Sequence, residues 1–62
     1  MKIKEIKETI KTLASSQGFY SRLLASMETM EEMFPHDYTE LVIELESQNF
    51  KNAVDVVMYF EC

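Results

Sequence analysis

The stretch ASSQGFYSRLLASM, residues 14–27, decides how this chain folds. It holds one charge, Arg22, in a sequence where 17 of 62 residues are charged. Small residues stand at Ala14, Gly18, Ser21 and Ala25, and large apolar ones at Phe19, Tyr20, Leu23, Leu24 and Met27. A surface helix normally keeps a broad polar face. Here only Arg22, Gln17 and the serines want water. A helix of this kind is covered from more than one side, which marks a packing and association element and argues against a reaction centre.

Upstream, apolar residues recur at Ile3, Ile6, Ile10 and Leu13, spaced three, four, three, which is helical periodicity. The same register continues through Gln17, Tyr20, Leu24, Met27, Glu31 and Phe34, and eight of these ten positions are apolar or aromatic. The spacing predicts one long helix from about Ile3 to Met33, reaching roughly 45 Å at about 1.5 Å per residue. The alternative is a kink or break at Ser15-Ser16-Gln17-Gly18. Serine is a good N-cap, and glycine inside a helix costs about 1 kcal/mol. Two features favour continuity. The register does not slip across the four residues, and Ala14, Gly18, Ser21 and Ala25 form one stripe only on an unbroken helix.

Downstream, Pro35 stops the first helix, because a residue preceding proline avoids the helical region. Asp37 with Glu40 three positions later resembles a capping box. Tyr38, Leu41, Val42 and Leu45 then give a helical face that runs to about Ser47. Asn49 or Asn52 is the next N-cap. The last helix is expected to turn Phe50, Ala53, Val54, Val57 and Met58 inward, with Val56, Tyr59 and Phe60 extending that surface. Its valines also suit a strand, but nothing else here reads as a partner edge. The fold expected is all-α over residues 1–62 as one domain: a long N-terminal helix, kinked or broken near Gly18 at worst, with a packed C-terminal two-helix hairpin.

A chain this short buries only about 60% of its unfolded surface and is marginal alone. Small scaffolds usually add a disulfide, a metal, strong helix packing or a partner chain. One cysteine and one histidine supply neither a disulfide nor a four-ligand zinc site. Packing and self-association remain, and a homodimer is expected. No apolar run spans a bilayer, and the Lys-rich N-terminus lacks the apolar core of a secretory signal. The chain reads as cytoplasmic, with no membrane partner.

Charge is divided along the chain. Residues 1–25 sum to +3 and residues 26–62 to −8, for a net −5. The two halves are expected to attract when the chain folds back. The sharper alternative is an acidic surface imitating nucleic-acid phosphate and occupying a basic groove on a host protein. Direct nucleic-acid binding is not expected, because DNA affinity comes largely from Lys and Arg on phosphates, and a DNA-binding regulator would need a basic recognition helix.

No catalytic, cofactor-binding or metal site emerges, and no cofactor is implied. A nucleophile needs an adjacent base and the base an orienting group. His36 beside Asp37 has no nucleophile with it and reads as a polar turn residue. Cys62 follows Glu61, without the cationic neighbours that activate a thiol. Glu28, Glu31 and Glu32 read as a solvated face, since no carboxylate–histidine pair follows on another helix. Met27, Met30 and Met33, followed by Phe34, are core at helical spacing or an adaptable binding surface. Arg22 pairs with Glu46 or Asp55, or anchors a partner, since Arg is enriched at interface centres. The candidate interface is Gly18, Tyr20, Ser21, Arg22, Ala25, Met27, Met30, Met33 and Phe34. The chain is expected to be no enzyme but a protein-interaction module.

Two segments carry a resemblance. Ser16-Gln17-Gly18-Phe19-Tyr20 with Arg22-Leu23-Leu24, and Gln48-Asn49-Phe50-Lys51 with Ala53-Val54-Asp55 and Val57-Met58, resemble small proteins of phages and conjugative elements from Gram-positive gut bacteria. The resemblance implies a mobile-element setting and carries over no activity, cofactor or site residue. It lends some weight to an inhibitor of a host nuclease or defence protein.

Overall fold

The computed structural model describes residues 1–61; Cys62, and the reading of its thiol, lie outside them. Four helices follow in order: α1 Ile3–Ala14, α2 Gly18–Met33, α3 Pro35–Ser47 and α4 Ala53–Glu61. Every regular element among the described residues is α-helical. The all-α class is as the periodicity predicts, but the layout is not. The long first helix is two helices folded against each other. Its roughly 45 Å would exceed the largest dimension of the molecule, 28 Å.

The break lies at Ser15–Gln17, and the serines explain it. Ser15 Oγ donates to the Thr12 carbonyl at 2.7 Å, and Ser16 Oγ to that of Leu13 at 3.3 Å. The Gln17 N–H also bonds Leu13 O, at 3.1 Å. The last carbonyls of α1 are thus satisfied locally, which offers the backbone an alternative to further helix. Gln17 then turns extended, at φ −137° and ψ 121°, and its carbonyl receives the first N–H groups of α2. Gly18 is the first residue of α2 and is exposed; no helix backbone approaches it.

The α1–α2 hairpin supplies most of the core. Ile6 and Ile10 are fully buried with Tyr20 and Met27, and Leu45, Phe50 and Val56 close the cluster from α3, the α3–α4 connection and α4. Tyr38, Leu41 and Val42 lie half-buried beside Leu45, the α3 face the spacing predicts. In α4 the expected face is displaced. Val56 points into the core and Phe60 packs on it, while Val54 and Met58 are 62% and 57% exposed.

Phe34 alone joins α2 to α3. It caps α3, with Pro35 at the first helical position, where the missing N–H costs nothing. Asp37 is therefore not the N-cap; it sits in the first turn, where its charge suits the helix dipole. After α3, Asn49 takes φ 56°, a left-handed conformation that Asn tolerates. Asn52 caps α4, its Oδ1 accepting from Asp55 N at 3.2 Å.

The start of α1 is held from a distance. Its N-cap, Lys2, has no side-chain acceptor to offer the first turn. Glu46 supplies one from α3, its Oε2 accepting the Ile3 N–H at 2.8 Å. Met1 N donates to the Phe50 carbonyl, also at 2.8 Å. A cap of this kind contributes about 0.5–2 kcal/mol. Glu46→Ala should cost that much in a denaturant titration, while Glu46→Gln, which keeps an acceptor, should cost less.

Candidate functional site

The outward side of α2 is the most distinctive surface of the molecule. Its exposed residues, read along the helix, include Gly18, Ser21, Arg22, Ala25, Ser26, Thr29 and Met33, with Glu28 and Glu32 along one flank, so its centre is poor in charge yet faces water. Among the described residues nothing covers it: α2 packs its other side on α1 and α3 and reaches α4 through the Tyr20 side chain. Toward its C-terminal end, Ala25, Ser26, Thr29, Met30 and Phe34 line an open groove of about 340 Å³. Met33 and Phe34, at 67% and 55% exposure, stand at that end of the helix. Large apolar side chains exposed together mark association surfaces more often than isolated ones do.

The predicted interface residues therefore separate into two groups. Gly18, Ser21, Arg22, Ala25, Met30, Met33 and Phe34 lie on or beside the outward surface. Tyr20 and Met27 do not, being core residues at 0% and 1% exposure. Ser26 and Thr29 belong to the groove and are absent from the predicted set. Their signal was the interval of four residues from Arg22 and Ala25 respectively. Val54 and Met58 form a second exposed apolar surface, on α4.

Arg22 finds neither expected partner. Glu46 is taken by the α1 N-terminus, and Asp55 Oδ2 accepts from Lys51 N at 2.8 Å. Among the described residues Arg22 makes no ion pair. The guanidinium lies back along α2, so that a methyl at Gly18 would meet Arg22 Nη1 at 3.4 Å.

Among the described residues the opposed charges of the two halves meet in one ion pair, at Lys7. Its Nζ lies 3.0 Å from Glu31 Oε1 and 3.1 Å from Tyr38 Oη, joining three helices at one point. The bonds to Tyr38 and Glu31 raise the lysine above its usual pKa against a smaller desolvation effect. His36 Nε2 stands 3.5 Å from Glu40, not Asp37, with both side chains exposed. That is a surface pair with no nucleophile beside it. Among the described residues no group of three or more His, Cys, Asp or Glu is placed to hold a metal ion. No helix is long and apolar enough to cross a membrane. The chain matches no protein family, no curated protein and no solved structure with which it was compared.

Tyr20 has a structural role instead. Its ring is buried, meets Phe19 edge-on at 5.1 Å, and its hydroxyl donates to Glu61 Oε2 at 2.5 Å, tying α2 to the end of α4. Burial first, and the Glu61 carboxylate second, push the phenol up from 10.0 to about 12. The fold thus favours the neutral phenol. The stability this confers is complete below pH 10 and is lost as pH rises from 10 toward 12. Lys7, also raised, adds to the loss above pH 10.5. Thermal melts followed by circular dichroism should stay level from pH 7 to 9 and fall between 10 and 12. Tyr20→Phe should melt lower at pH 7 and fall less steeply above pH 10.

Proposed function

We propose that this chain is a non-enzymatic protein-interaction module whose working unit is a homodimer, acting in the biology of a mobile genetic element. One observation carries the association: the open face of α2, short-chained at its centre, with its groove and the exposed Met33 and Phe34 at one end. A 62-residue chain leaves much of its apolar surface uncovered, and a second chain is the remaining means of covering it. The mobile-element setting is supported by the resemblance of the segments within residues 16–24 and 48–58, and by that alone. Light scattering across a concentration series should report about twice the chain mass at the upper end. A monomer with a cooperative melt at every concentration overturns the dimer.

A second reading, an acidic inhibitor that occupies the nucleic-acid site of a basic host protein, is favoured by a different observation. Glu28, Glu32, Asp37, Glu40 and Glu44 are all exposed, and of these only Glu40 has an ion-pair partner among the described residues. Exposed charges contribute little to stability. Glu→Gln changes at Glu28, Glu32 and Glu44 should therefore abolish binding to a basic nuclease and leave the fold intact. Binding of this kind should also weaken steeply between low and physiological salt, as titration calorimetry would measure.

A further inference from the structure

We infer that two copies associate through α2 packed antiparallel on α2, about a two-fold axis near Ala25–Thr29, with Arg22 of each copy paired to Glu32 of the other. This rests on the dimer reading above and specifies its geometry.

The argument begins with charge along α2. The helix has no acidic residue in its first turn and no basic residue in its last. Instead Glu28, Glu31 and Glu32 gather in its C-terminal half, toward the negative end of the helix dipole, where carboxylates are unfavourable. Lys7 compensates Glu31 at 3.0 Å. Glu28 and Glu32 have no such partner among the described residues, and at spacing i, i+4 they repel each other. The one cation of α2, Arg22, is equally unpaired and lies in the opposite half. The outward face of α2 is therefore positive at one end and negative along one flank of the other. An antiparallel copy of the same helix presents the complementary order, which a parallel copy does not, and that orientation also opposes the two helix dipoles.

Side-chain size follows the same symmetry. Around a two-fold axis, residues at positions i and j meet where i and j sum to a constant. Pairing Arg22 with Glu32 sets that constant near 54. Ala25 then faces Thr29 of the other copy, and Ser21 faces Met33. Met30 lies against Ala25 and Ser26. Ala25, Ser26 and Thr29 occupy the centre, where the backbones come nearest, with Glu28 beside its own copy on the flank, and Met30 and Met33 fall on short residues. A parallel arrangement would instead place Arg22 on Arg22 and Glu32 on Glu32. The α2 helix has 16 residues, so the shared face is about 24 Å long.

Charge reversal with rescue tests the register. Arg22, Glu32 and Ala25 are exposed, so variants there should keep their helix content, with a lower melting temperature only as far as the dimer is lost. Sedimentation equilibrium in physiological salt should find Arg22→Glu and Glu32→Arg each weakening the dimer by at least about tenfold. The double variant Arg22→Glu/Glu32→Arg should restore most of the loss, because the pair is rebuilt with its sign exchanged. Ala25→Trp, which fills the centre, should abolish dimerisation while the monomer stays folded. A wild-type dimer indifferent to both reversals and to Ala25→Trp overturns this geometry and leaves the interaction reading standing. So does a dimer broken instead by Val54→Glu or Met58→Glu on α4. A wild-type monomer at all concentrations overturns both.

Discussion

At Ser15–Gln17 the hydroxyls of two serines and the N–H of Gln17 take up the carbonyls that end α1, and the chain reverses there. The rest of the molecule depends on that reversal. It brings Ile6 and Ile10 against Tyr20 and Met27, and Leu45, Phe50 and Val56 have a surface to cover only because the hairpin has formed. It also settles which side of α2 faces water. The buried side carries Tyr20 and Met27, so the opposite side, with its short residues, is left outside.

The helical class was legible because the apolar spacing over Ile3–Leu13 and Tyr38–Leu45 fits no other period. Continuity through residues 15–17 was misread for a specific reason. The reversal occupies three residues, close to one helical turn, so Tyr20, Leu24 and Met27 resume in the phase that Ile6 and Ile10 had set. Phase records which residues are buried, and it is blind to whether the helix axis turned between them. Local hydrogen bonding by serine, together with glycine at the next position, was the signal that distinguished the two. The Pro35 boundary was legible because proline acts through its own backbone. The cap assigned to Asp37 was misplaced because proline at the first helical position moves the cap back to Phe34.

The surface was legible in part. A stretch poor in charge was read as one covered from several sides, and the structure covers only the Tyr20–Met27 side of it. The partners expected for Arg22 failed because Glu46 and Asp55 serve backbone N–H groups. No sequence pattern reveals a carboxylate capping a helix that begins 43 positions away. In α4 the apolar residues surround the helix, so the pattern could not select an inward face. Val56 was placed at the margin of that face and lies at its centre.

That ambiguity in α4 has a physical counterpart. The helix is nine residues long and its backbone lies close only to α1, with Tyr20–Glu61 as a side-chain tie to α2. It is the least anchored unit of the fold, and opening free energies within one protein range from near zero to the global value. A sub-global fluctuation that releases α4 while α1–α3 persist costs less than complete unfolding. Amide protons of α4 should therefore exchange with solvent ahead of those at Ile6, Ile10 and Met27. This domain has a hierarchy of opening built into it, with α4 at the lowest rung.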